Sequence, residues 1–312
     1  MSTATEQVWT LGALLDWTAK HLVTKNIDSA RLDAEVLLAH VIGGKRIDLY
    51  GMRHGEIASP EVKQKYRELI RKRIEGCPVA YLVERKEFFG LELKVSPAVL
   101  IPRPDSEHVV MECLAFAKTM TNPHIIDIGT GSGNLAIAIA KRHPTADLVA
   151  IDKSPDALKI AQENAAKHGV AERIRFLEGD LFAPLNTLAG RASDGSDASA
   201  PSLARPANEQ FHFIVSNPPY IADEDVPNLP VGVRLYEPHL ALKGGPGGFV
   251  VFERLIAESR SRLLPGGYLI VEIGSPQEKP AREMLSAIAE FELAPTIYDF
   301  SGHPRVLRVQ RK

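Results

Sequence analysis

The sequence predicts an α/β protein: a doubly wound, mostly parallel sheet with a small bundle of helices ahead of it. Three observations carry this. From about Pro104 onward, short apolar runs alternate with helical patterns. Before about residue 85 only helical patterns occur. Between the first apolar run and the helix after it lies Gly129-Thr130-Gly131-Ser132-Gly133, glycines at the point where a strand hands over to a helix. A chain of 312 residues, 45% hydrophobic, has material for one large domain and a smaller one.

Taken in order, Thr10 caps a segment with Leu11, Leu14, Leu15, Ala19 and Leu22 on one face. Ser29 opens a second helix carrying Leu32, Val36, Leu37, His40 and Val41. Ser59-Pro60-Glu61 is a helix start, and Tyr66, Leu69, Ile70 and Ile74 continue it until Gly76 and Pro78 end it. Alternation from Glu87 to Val95 around Gly90 predicts a short hairpin. Asp105 or Ser106 caps a helix to about Lys118. Strands are expected near 124–128, 147–151, 173–177, 211–216 and 267–273, with helices near 134–142, 155–168, 248–262 and 277–290. Strand-like runs at 294–299 and 305–310 close the chain. The stretch 186–210 is rich in Ala, Ser, Pro, Gly and Asp, and reads as a mobile surface insertion.

Two motifs carry chemistry. The glycine loop can bring backbone N–H groups close to a ligand, and Asp152 ends the next strand about 20 residues later, where an acid can hold ribose hydroxyls. Alone, the loop leaves a nucleotide site and a tight turn equally open, and its GxGxG spacing is not the GxGxxG of dinucleotide sites. The second motif, Asn217-Pro218-Pro219-Tyr220, ends the run Phe211 to Ser216. Two consecutive prolines stop a strand and remove two donors. They leave the Asn217 side-chain oxygen and the Pro218 carbonyl as acceptors beside an aromatic face from Tyr220. That set suits a planar NH2 group, whose delocalised lone pair is returned to nitrogen when both hydrogens are drawn into acceptors.

Loop, acid and Asn-Pro-Pro-Tyr in that order resemble the S-adenosylmethionine-dependent amino-methyltransferases, and the resemblance implies that cofactor. A closer likeness rests on Arg31 to Leu38, Pro78-Val79-Ala80-Tyr81-Leu82, Ile101-Pro102-Arg103-Pro104-Asp105-Ser106-Glu107, Asp127 to Gly133 and Ser216 to Tyr220. From about residue 10 to 310 the chain resembles the HemK/PrmC family of release-factor glutamine N5-methyltransferases. The 186–210 insertion departs from that pattern, as does Tyr236-Glu237-Pro238 where the family often has Phe-Glu-Pro.

The resemblance implies a seven-stranded Rossmann-like class I methyltransferase sheet with an antiparallel last strand. It divides the chain into a release-factor recognition domain (1–85), a hairpin linker (86–103) and a methyltransferase domain (104–312). It implies a cofactor site of Gly129, Thr130, Gly131, Ser132, Gly133 and Asp152, with Asp180 near the adenine amino group, Leu181 against the ring and Asn217 at the reacting end. Asn217, Pro218, Pro219 and Tyr220 form the catalytic turn, and the loop holding Arg103 and Glu107 lies over the reacting end of the cofactor. The implied substrate is the glutamine of the Gly-Gly-Gln motif in class I peptide release factors. A sister enzyme that modifies a ribosomal-protein glutamine carries a Pro-Arg-Ser-Pro-like segment where this chain has 102–107, which favours the release-factor branch.

Other classes fit less well. Similar turns serve methyltransferases of adenine and guanine amino groups, but the net charge of −2 gives no basic footprint and no nucleic-acid module is recognisable. A dinucleotide oxidoreductase would leave Asn-Pro-Pro-Tyr unexplained. The basic group Arg67, Arg71, Lys72 and Arg73 reads as a solvated helix face. Ten scattered histidines and two isolated cysteines, Cys77 and Cys113, predict no metal site and a reducing compartment. No leader-like segment and no long apolar stretch is present, so the expectation is a cytoplasmic monomer acting on protein, with no membrane.

Overall fold

The computed structural model describes residues 8–51, 53–186 and 209–312. The predicted insertion at 186–210 therefore lies outside the described residues except at its ends. One end is firmly placed: Glu209 is buried, with its carboxylate on Arg175 at 2.5 Å and His124 Nε2 at 3.2 Å. Two compact units are present, one of residues up to Arg85 together with Pro230–Tyr236, the other of Lys86–Leu229 and Glu237–Lys312.

The first unit is helical. Its elements are α1 (Leu11–Val23), α2 (Ala30–Val41), α3 (Pro60–Ile74) and the single turn α4 (Val79–Leu82). Thr10 Oγ1 accepts from Ala13 N at 3.1 Å and Ser59 Oγ from Val62 N at 3.3 Å, which satisfies donors the helix starts leave orphaned. Leu11, Leu15, Leu22, Leu37, Leu38 and Tyr66 are buried, and the Tyr66 hydroxyl donates to the Ala34 carbonyl at 2.9 Å. Leu32, expected on the inner face of α2, is 46% exposed; Ala30 and Ala34 take the inner positions instead. A short helix, α8 (Val231–Tyr236), belongs to this unit although it lies far along the chain. The Tyr236 hydroxyl donates to the Glu75 carbonyl at 3.3 Å. Val231 stands 2.8 Å from where a Cβ on Gly76 would lie, and Gly76 has φ +100, so glycine is required there twice over.

The second unit opens with a hairpin, β1 (Arg85–Phe88) and β2 (Leu91–Lys94), whose turn residues Phe89 and Gly90 have φ of 51 and 72. Its sheet contains β3 (His124–Ile128), β4 (Asp147–Asp152), β5 (Ile174–Glu178), β6 (Phe211–Ser216), β7 (Leu263–Glu272), β8 (Phe291–Leu293), β9 (Ile297–Tyr298) and β10 (Pro304–Arg311). The order is β5-β4-β3-β6-β7-β10-β8, with β9 on β10. The first five are parallel, while β10 is antiparallel to β7. The sheet thus has eight described strands rather than the expected seven: the run expected at 294–299 yields only β9, and a further short strand, β8, precedes it on the other side of Pro295, which has no N–H for a ladder.

The middle strands β3, β4 and β6 are largely apolar because both their faces are covered. Ile126, Ile128, Val149, Ile214 and Leu269 pack on one side with Phe252, Leu255 and Ile256 of α9 (Val250–Arg262) and Leu285 of α10 (Glu278–Ser286). Ile125, Leu148, Phe213, Val215 and Ile270 pack on the other with α5 (Glu107–Ala117), α6 (Asn134–Arg142) and α7 (Pro155–Lys167). From β3 the sheet grows outward through β4 and β5, then returns to β6 on the opposite side of β3. Ligands of doubly wound sheets bind at such a reversal, beyond the carboxyl ends of the strands.

Candidate active site

A cavity of about 320 Å3 lies at that reversal, walled by the loops after β3, β4, β5 and β6 and by residues 98–106. The glycine loop forms one side. Gly129, Gly131 and Gly133 have φ of 74, 55 and 81. A Cβ on Gly129 or Gly131 would meet nothing within 4 Å, so the backbone there is bare and open to close approach. Gly133, the N-cap of α6, is instead packed: its Cβ would come 2.7 Å from Ile137. Gly129 to Ser132 line the cavity and Gly133 supports them from behind.

Two acids hold the loop, Asp127 fully buried and Asp152 half-buried. Asp127 Oδ2 accepts from Thr130 Oγ1 at 2.6 Å and from Ala136 N at 3.3 Å, and among the described residues its Oδ1 has no partner. Burial outweighs those bonds and pushes its carboxyl up to about 7. Asp152 Oδ2 accepts from Gly131 N at 2.8 Å and Oδ1 from Ser154 N at 2.9 Å. Burial raises its pKa against the bonds from Ser154, Gly131 and Lys153. Asp180 and Leu181 also line the cavity. Asp180 is held by Arg254 at 3.1 Å and lies 3.9 Å from Lys153. Leu181 is buried with φ 49, a left-handed backbone uncommon for leucine and found where function constrains the chain.

The acceptor turn faces this loop. Ser216 pairs with Val271 across the β6–β7 ladder, so Asn217 emerges beside Glu272, the last residue of β7. Ser216 Oγ donates to the Ile128 carbonyl at 2.7 Å and ties the two strand ends together. Asn217 Nδ2 donates to Ser106 Oγ at 2.9 Å, which leaves Oδ1 for another donor. Asn217, Pro218 and Pro219 line the cavity, whereas Tyr220 does not. The Tyr220 ring lies on Gly274, where a Cβ would sit 3.1 Å from its Cδ2. Gln277 braces the turn, donating from Nε2 to the carbonyls of Tyr220 (3.2 Å) and Gly248 (3.0 Å) and accepting from Gly274 N at 3.0 Å. Burial, with the Glu272 carboxylate nearby, pushes the Tyr220 phenol up to about 12, so it stays neutral.

Arg103 lines the cavity and is clamped to the buried Glu237 at 2.6 Å. Glu237 Oε2 also accepts from Ile101 N at 3.3 Å, which fixes the loop on both sides of Pro102. The structure does not bring Glu107 to the cavity. Its Oε1 accepts from Phe89 N at 2.8 Å and secures the hairpin, because the helix it starts turns that side chain away from the sheet ends. Gln277 and Glu272 do not emerge from the sequence, and Glu237 enters only within the Tyr236-Glu237-Pro238 segment, without a role. The one signal was an acid closing the apolar run Tyr268 to Val271.

The PrmC N-terminal domain signature matches residues 13–83, and a methyltransferase domain signature matches residues 120–194. The release factor glutamine methyltransferase of Rhodopirellula baltica is 36% identical over 313 residues, covering 99% of each chain. The chain belongs to the release factor glutamine methyltransferase family. The family enzyme of Escherichia coli (strain K12) is 35% identical over 280 residues, 89% of this chain and 91% of that one. Among solved structures, the hMettl16 catalytic domain in complex with an RNA hairpin superposes with a TM-score of 0.51 at 15% identity, covering 77% of this chain and 81% of that one, which shows a shared fold.

Proposed function

We propose that the protein transfers the methyl group of S-adenosylmethionine to the side-chain amide nitrogen, N5, of the glutamine in the Gly-Gly-Gln motif of class I release factors in the cytoplasm. The observation that carries this is the full-length membership of the family together with one cavity that holds both the glycine loop and Asn217. The bare backbone at Gly129 and Gly131, the acid at Asp152 and the apolar side chain of Leu181 fit a nucleoside carrying an amino-acid tail. When bound, that cofactor supplies a sulfonium methyl carbon open to displacement.

The chain's own residues address the nitrogen. Asn217 Oδ1 and the Pro218 carbonyl accept the two amide hydrogens, which localises the lone pair on nitrogen. Tyr220, behind the turn, stiffens it rather than lining the cavity. Most of the acceleration comes from orientation, which supplies roughly 7–11 kcal/mol in well-aligned systems. No general base is assigned: once the N–C bond forms, the amide cation is a strong acid and loses its proton to solvent. Recognition of the protein substrate falls to the helical unit of residues 1–85, since a single glutamine offers little area beside the roughly 1,200–2,000 Å2 of an ordinary protein interface.

The test is mass spectrometry of purified release factor after incubation with enzyme and cofactor. One added methyl, located on the Gly-Gly-Gln glutamine, is expected. A factor that stays unmodified while a ribosomal protein or RNA gains the methyl would overturn the substrate assignment.

A further inference from the structure

Ser106 stands at the start of α5, where the sequence predicts a capping hydroxyl, yet it makes no cap bond. Its Oγ instead accepts from Asn217 Nδ2 at 2.9 Å and donates to Glu272 Oε2 at 2.5 Å. Ser106 is fully buried and Glu272 is 2% exposed. We propose that Ser106 and Glu272 are positioning residues that lock the Asn217 amide with its oxygen toward the substrate nitrogen. This rests on the reading above that Asn217 Oδ1 accepts an amide hydrogen.

An asparagine amide can rotate by half a turn and present two donors where it presented an acceptor. In the flipped state Asn217 would meet the substrate N–H groups with its own N–H groups. The three-residue chain forbids that. An ionised carboxylate only accepts, so Ser106 must spend its single hydrogen on Glu272. Ser106 then has lone pairs alone to offer Asn217, and only Nδ2 can face them. Direction is therefore imposed from the buried acid, through the hydroxyl, to the amide.

The surroundings keep the acid available for this task. Arg103 and Asp105 face it from the segment before α5, Arg305 from β10 and Tyr220 from the turn after β6. Arg103 is held by Glu237 at 2.6 Å, and Arg305 by Asp299 at 2.8 Å and Asp105 at 3.2 Å. With both guanidiniums committed elsewhere, burial dominates and pushes Glu272 up to about 7. Below that pH the neutral acid can donate to Ser106, which frees the serine hydrogen for Asn217 Oδ1 and reverses the direction. The kcat should accordingly rise with pH through the Glu272 titration. The glutamine substrate brings no group that titrates there.

The experiment is the pH profile of kcat, at saturating cofactor and release factor, for wild type, Ser106→Ala, Ser106→Thr, Glu272→Gln and Asn217→Ala, with cofactor affinity measured for each. Saturation matters because Asp127, behind the glycine loop, titrates in the same range. Wild type should show one inflection near neutrality. Ser106→Ala should lose about 10- to 100-fold in kcat and the inflection, with cofactor affinity unchanged. Ser106→Thr, which keeps the hydroxyl, should keep both rate and profile, and Glu272→Gln should be slower and flat. Should Ser106→Ala fail to bind cofactor, the contrast between Ser106→Thr and Glu272→Gln decides. Wild-type kcat in Ser106→Ala, or an inflection that survives in Glu272→Gln, would overturn the proposal while leaving the Asn217 reading intact. An active Asn217→Ala would instead sink the Asn217 reading and this inference with it.

Discussion

The helical unit and the sheet unit each bury a glutamate as deeply as a core leucine, and they treat it in opposite ways. Glu35, on α2 and 3% exposed, accepts from Arg31 at 2.9 Å, from Arg46 at 2.6 Å and from the Tyr50 hydroxyl. Burial alone would raise its pKa, but hydrogen bonds from Tyr50, Arg46 and Arg31 outweigh it and hold the carboxyl below its usual value. Glu272 has a single hydroxyl, and burial prevails. The first acid is balanced by its partners, and the second is held against burial beside Asn217, the proposed acceptor of the substrate amide. Buried charge marks chemistry only where the protein withholds the counter-ion.

Three predictions would break or sharpen that contrast. The largest effect belongs to the acceptor itself. Asn217→Ala should lower kcat about 100- to 1,000-fold, the range for deleting one preorganised hydrogen-bonding group, with cofactor affinity kept. Steady-state kinetics beside a binding titration would separate the two.

Next comes Glu35→Ala, which strands Arg46 and leaves Arg31 to Asp16, at 2.5 Å. Both arginines are about half exposed, so the loss should be about 2–3 kcal/mol, below that of a fully buried pair. It should appear in urea unfolding followed at Trp9 and Trp17 of the helical unit, and it should shrink on acidification. A folded pKa below the unfolded one stabilises at neutral pH and is lost as pH falls through it.

The smallest effect has the opposite sign. Glu272 has a folded value of about 7 against 4.5 for an ordinary glutamate, so its contribution is present at acid pH and is lost as pH rises through neutrality. Glu272→Gln, which does not titrate, should therefore match wild type in stability under acid conditions. Above neutral pH it should be more stable by about 1–3 kcal/mol, although slower. Equal stability at both ends of the pH range would mean that Glu272 is not strained.

Much of this was legible in the residues, for identifiable reasons. Apolar runs buried on both faces, such as 124–128 and 211–216, have one plausible structure, and Asn-Pro-Pro-Tyr and the glycine loop are local signals that need no partner. What escaped depends on contacts distant in sequence. The strand expected near 267–273 already begins at Leu263 as β7, which takes Pro265 and two glycines into the ladder with a register shift between Phe211 and Phe213. Nothing in Pro230–Tyr236 announces that it joins the first unit. Ser106 carries the pattern of a cap, and only the fold places Glu272, from a strand 166 residues away, within its reach. The family resemblance implies a cofactor loop holding both Arg103 and Glu107, and only the fold shows that Arg103 lines the cavity while Glu107 holds Phe89 N.

The most direct measurement is methyl incorporation from labelled cofactor into a purified class I release factor, run in parallel on the same factor with its Gly-Gly-Gln glutamine changed to alanine. Label on the wild-type factor and none on the variant is the predicted result. Equal label on both, or label only on ribosomal protein or RNA, would contradict the account.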